Sequence, residues 1–125
     1  MARQQYPDDS KVVQVAEGIT YAYVYKPAQP NKPTFLLLHG FPSSSYDWRH
    51  QITDLPNAGY GVLVPDLLGY GDSSKPTAKE EYAWAKISAH VAKVLDNEGL
   101  TKVIGVGHDW YGFSFFNLVL YYIQI

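Results

Sequence analysis

No cysteine occurs anywhere in the 125 residues. That excludes a disulfide framework, a thiolate metal site and a cysteine nucleophile together. A basic surplus is also missing: ten Lys and Arg stand against twelve Asp and Glu, a formal net charge of −2. The chain therefore lacks the electrostatic footprint of a nucleic-acid binder or an anionic-membrane binder. The longest apolar stretch, from Phe113 to Ile125, falls short of the roughly 20 residues a membrane-spanning helix needs. The opening residues, MARQQYPDDS, hold no apolar core of a leader peptide. A soluble, cytoplasmic protein is expected, with neither nucleic acid nor a membrane span. No internal repeat and no low-complexity linker divides the chain.

What is present is globular: 46% hydrophobic residues, 18% charged, and 15% aromatic with eleven Tyr. The β-branched and aromatic runs Val12 to Val15 and Ile19 to Tyr25, with Glu17-Gly18 between them, predict a hairpin. Thr34-Phe35-Leu36-Leu37-Leu38 is a continuous apolar run, the mark of a strand covered on both faces. Gly61-Val62-Leu63-Val64-Pro65 and Lys102-Val103-Ile104-Gly105-Val106 predict two more buried strands. A short helix is expected around Tyr46 to Leu55, closed by Asn57-Ala58-Gly59. A long amphipathic helix is expected from Lys79 to Glu98, with Trp84, Ile87, Val91, Val94 and Leu95 at helical spacing and Gly99 at its end. A hairpin leading into βαβ units implies an α/β class: a mostly parallel sheet with helices on both faces.

In such sheets ligands bind outside the carboxyl ends of the strands. Three segments leave buried strands at that edge: His39-Gly40-Phe41-Pro42, the loop Asp66-Leu67-Leu68-Gly69-Tyr70-Gly71, and Gly107-His108-Asp109-Trp110. Turn chemistry alone accounts for Gly and Pro at strand ends, and an Asp beside a strand can serve as a helix N-cap. Two other sites are disfavoured. Gly105-Val106-Gly107 lacks the third glycine of a dinucleotide fingerprint, because Trp110 stands there. His39, His50, His90 and His108 fall on separate elements without metal-ligand spacing. Neither a cofactor nor a metal is expected.

Those segments, with Tyr46-Asp47-Trp48-Arg49 and Asp72-Ser73, resemble the N-terminal part of an α/β-hydrolase, and the epoxide hydrolase branch most. The resemblance implies that Asp109 is the nucleophile, on the sharp turn where esterases carry Ser. An ionised carboxylate can attack a saturated carbon without a base, opening an epoxide or displacing a halide. It also implies backbone oxyanion donors at Phe41 and Trp110, a cis Phe41-Pro42 bond, and structural parts for His39, Gly40, Pro42, Gly107, His108, Asp66, Gly69 and Gly71. The expected substrate is a small apolar epoxide. Haloalkane dehalogenases share the Asp and would suit Trp110. They usually place a second halide donor at the position held here by Phe41, which has no side-chain N–H.

Two departures from the family pattern stand out. No His, Asp or Glu follows Asp109, although the family order places acid and then His after the nucleophile. Tyr111 stands where the family carries a small residue. The expectation is therefore one partial domain over residues 1–125, truncated after the nucleophile turn, without the cap and the C-terminal part. Such a chain would be a non-catalytic fragment or would stop at alkylation.

Overall fold

The computed structural model describes residues 2–109. Expectations for Trp110, Tyr111 and Phe113 to Ile125 lie outside that range. A short helix α1 (Ala2–Gln5) precedes the hairpin of β1 (Ser10–Ala16) and β2 (Ile19–Lys26). Then follow β3 (Thr34–Leu38), α2 (Arg49–Asn57), β4 (Gly61–Pro65), α3 (Trp84–Asn97) and β5 (Ile104–Gly107). The sheet order is β1-β2-β4-β3-β5. β4 and β5 both run parallel to β3, whereas β2 is antiparallel to β1 and β4. Among the described strands, β2 alone therefore opposes the common direction.

Because side chains alternate along a strand, each central strand feeds both faces. Leu36, Leu38 and Leu63 join Ile87, Val91, Val94 and Leu95 of α3 in one core. Leu37, Val62 and Val64 join Ile52 of α2 in the other, flanked by Trp48 and Leu55. Helices thus cover both faces, which is why β3 and β4 are apolar without alternation.

Both helices close with the same hydrogen-bond pair. Leu100 N–H donates to Leu95 O (3.0 Å) and Gly99 N–H to Asp96 O (3.0 Å); Tyr60 and Gly59 repeat this on Leu55 O and Pro56 O. This is the Schellman arrangement, in which a glycine takes the left-handed residue without Cβ strain. At the end of α3, Glu98 accepts from Tyr23 Oη (2.7 Å) and from Lys11 Nζ (2.8 Å), fastening the helix to the hairpin.

Three elements differ from the sequence expectation. The long helix begins with a 3₁₀ turn, Lys79–Tyr82, and Ala83 is extended (ψ 137°) before α3 starts. Tyr82 explains the break: its hydroxyl donates to Pro76 O (2.7 Å), and its ring fills the space a Cβ on Gly69 would need. The helix expected at Tyr46 likewise opens with a 3₁₀ turn, Ser45–Trp48. The strand expected from Lys102 to Val106 is not buried: β5 starts at Ile104, and Ile104 and Val106 are 42% and 36% exposed. Among the described residues β5 pairs only with β3, so its side chains lack the double cover that β3 and β4 have.

Candidate active site

Parallel pairing of β3 with β5 ends at Leu38 opposite Gly107, and His108 N–H extends it by donating to Leu38 O (3.0 Å). The two chains therefore leave the sheet side by side. His39 to Pro42 emerges from β3, and His108 and Asp109 emerge from β5. Asp109 has a φ of 61°, in the left-handed region, which short polar Asp tolerates better than most residues. Phe41 N–H donates to Asp109 Oδ2 at 3.2 Å. The Phe41-Pro42 bond is cis.

Gly40 makes this meeting possible. A Cβ built there would lie 2.8 Å from both Asp109 Cβ and His108 Nδ1, closer than packed atoms approach. His39 is fully buried behind it. Leu67 N–H donates to His39 Nε2 (3.0 Å), so the ring proton resides on Nδ1, which donates to Gly40 O (2.9 Å). Burial holds the imidazole below its ordinary pKa of 6.5 and keeps it neutral in this exchange. The Gly40 carbonyl and the Phe41 N–H belong to one peptide unit. His39 thus grips one end of that unit while Asp109 accepts from the other.

The loop after β4 braces the arrangement from below. Asp66 is fully buried and accepts from Ser45 N–H (2.8 Å) and Asp72 N–H (3.1 Å). Ser73 Oγ donates to Asp66 O and accepts from Ala22 N–H (2.9 Å), which ties the loop to β2. Tyr70, between two glycines of this loop, meets the rings of both His39 and Phe41 in T-shaped geometry. In the sequence Tyr70 is marked only as part of the loop Asp66 to Gly71, not as a site residue. An aromatic residue set in a glycine-rich turn was the available signal, since such a turn places a large ring where only packing can hold it.

Asp109 and Phe41 are exposed, Phe41 by 62%. The Asp109 carboxylate accepts from the Phe41 amide donor on Oδ2. Of the expected site residues, the structure brings together His39, Gly40, Phe41, Pro42, Gly107, His108 and Asp109. Trp110 lies outside the described residues. His50 sits on α2 and His90 on α3; His90 Nδ1 pairs with Tyr21 Oη (3.2 Å) in the core.

An open α/β sheet with such a strand-end turn at its carboxyl edge defines an α/β-hydrolase. Residues 33–124 match the family described as alpha/beta hydrolase fold, and the chain belongs to that family. It is 46% identical to epoxide hydrolase A of Mycobacterium tuberculosis over 87 residues, covering 70% of this chain and 27% of that protein. It is 43% identical to the mouse (Mus musculus) bifunctional epoxide hydrolase 2 over 90 residues, 72% of this chain and 16% of the relative. The crystal structure of epoxide hydrolase A from Mycobacterium thermoresistibile superposes with a TM-score of 0.80 at 37% identity, covering 91% of this chain and 36% of that one. The chain thus spans well under half the length of the relatives it matches.

Proposed function

We propose that the chain carries the nucleophile half of an epoxide hydrolase site, with Asp109 attacking and the Phe41 and Trp110 amides as oxyanion donors. The observation that carries this is the Phe41 N–H on Asp109 Oδ2 at 3.2 Å. That bond leaves Oδ1 as the attacking atom. Its lone pair forms a C–O bond to an oxirane carbon, and the ring C–O bond breaks toward its oxygen, which takes up a proton from solvent. The product is an ester whose carbonyl oxygen is Oδ2. When water adds at Cγ, negative charge develops on Oδ2, where an amide donor already stands. Collapse of that adduct returns the carboxylate and releases a diol.

The second step needs a base to activate the water. No His, Asp or Glu follows Asp109 in these 125 residues, so the polypeptide by itself is proposed to stop at the ester. An apolar epoxide fits the exposed Phe41 ring beside the carboxylate. The relatives named epoxide hydrolase, together with the absence of an N–H on the Phe41 side chain, favour an epoxide over a haloalkane.

The test is incubation with styrene oxide, followed by intact-mass measurement and peptide mapping. One adduct per chain, on Asp109 and absent in Asp109→Ala, is expected. Labelling that persists in Asp109→Ala would defeat the nucleophile assignment. Continuous diol release would defeat the arrest at the ester.

A further inference from the structure

We propose that Tyr70 is a positioning residue for the oxyanion donor, fixing the Gly40–Phe41 peptide unit through its ring contacts with both His39 and Phe41. This rests on the reading of Asp109 as the nucleophile.

Tyr70 meets His39 with ring centroids 5.4 Å apart at 84°, and Phe41 at 6.2 Å and 81°. Both are edge-to-face geometries of the favoured kind. The two contacts act on the two ends of one peptide unit. The His39 ring holds Gly40 O through Nδ1, so a tilt of the imidazole rotates the peptide plane. Phe41 carries the N–H itself, and its side chain is mostly in solvent. Tyr70, in contrast, is anchored on both sides of its own backbone. Its N–H donates to Leu67 O (2.9 Å), and Ser73 N–H donates to its carbonyl (3.1 Å). Asp66, accepting from Ser45 N–H, and Ser73, accepting from Ala22 N–H, fasten that loop to the rest of the fold. A ring anchored through its own backbone therefore touches the residues at both ends of the donor's peptide unit. The donor's hydrogen bond is already at the long end of the usual range, so a small rotation abolishes it.

The measurement is the downfield displacement of the Phe41 amide proton by NMR, which reports its bond to the Asp109 carboxylate. Asp109→Ala removes that displacement and calibrates the signal. Tyr70→Ala, and Tyr70→Leu as a variant that keeps most of the volume without the ring, lose most of it, while the Leu36 and Leu63 amides of the central sheet stay in place. Tyr70→Phe keeps it, because the ring contacts need no hydroxyl. Labelling of Asp109 by styrene oxide slows by about tenfold in the ring-less variants, less than the 10²–10³ lost with a whole oxyanion donor. A full Phe41 displacement in Tyr70→Leu, or a loss in Tyr70→Phe equal to that in Tyr70→Ala, overturns the proposal. An intact, Tyr70-dependent displacement without any labelling of the native chain supports the positioning role and refutes the nucleophile reading instead.

Discussion

Replacing Gly40 by Ala tests the site at its tightest point. The added methyl would stand 2.8 Å from Asp109 Cβ and 2.8 Å from His108 Nδ1, where ordinary contact begins at 3.4 Å. The strand ends must then separate by about 0.6 Å to restore ordinary contact. The exposed His108 ring can turn aside, but Asp109 Cβ is not the far end of a flexible side chain. Asp109 Cβ is tied to the backbone, and the His108 carbonyl, 3.3 Å away, hinders a simple sidestep. The Phe41 to Asp109 bond of 3.2 Å has no slack at that scale, because an N–H···O bond fades beyond about 3.2 Å. The core residues of α2 and α3 are not in the path of the new methyl. Global stability should therefore fall by only about 1–3 kcal/mol, the usual cost of overpacking. Labelling of Asp109 should fall by roughly 10²-fold, the cost of misplacing a reacting group by about an ångström. Urea denaturation followed by tryptophan fluorescence gives the first quantity, and intact-mass kinetics with styrene oxide gives the second. A variant that labels at the native rate, with its Phe41 amide resonance unmoved, would refute the claim that this close approach sets the site.

Gly71→Ala should be far more destabilising than Gly99→Ala, although both glycines have positive φ (53° and 68°). A Cβ at Gly99 meets nothing within 4 Å, whereas at Gly71 it would lie 2.3–2.6 Å from the buried Asp66 carboxylate. Expulsion of that group forfeits charge-assisted bonds worth about 1.5–3 kcal/mol each, so equal urea midpoints for the two variants would contradict the reading. The pH dependence follows from His39 and His90, whose pKa values burial lowers from the ordinary 6.5. The unfolded chain takes up these protons first, so their contribution to stability is present above pH 6.5 and is lost as the pH falls below it toward the folded values. Thermal melts should show a declining midpoint across that range, shallower in His90→Gln, and a flat profile would count against both assignments.

The class was legible because β3 and β4 announce double cover in their own composition, and because Gly59 and Gly99 stand where helices close. The place of Asp109 on a strand-end turn beside Phe41 was legible through the residues around it, His39-Gly40-Phe41-Pro42 and Gly107-His108. What sequence could not supply was the three-dimensional partner of each loop. Nothing in the run Lys79 to Glu98 signals that Tyr82 turns toward Gly69 and ends the helical path at Ala83. Ile104 and Val106 have the composition of a covered strand, but exposure depends on which strand lies alongside. Tyr70 escaped notice because its neighbours His39 and Phe41 come from another strand end, some thirty residues earlier, and period-based reading sees only neighbours in sequence.

The bond from Phe41 to Asp109 spans 68 residues of chain. During synthesis, β1 to β4 and α3 are all available before the carboxylate emerges, so the sheet and both helical layers can assemble without it. Closure of so long a loop gains no local help, and long-range pairings of this kind form slowly. The Asp109 carboxylate is consequently a late arrival on a platform already built. Its register is set by a four-residue ladder against β3, and slippage by one step would turn every side chain of β5 to the opposite face. Mutations that weaken β5 pairing would thus displace Asp109 while leaving most of the fold standing, a mode of failure that melting temperature alone would not detect.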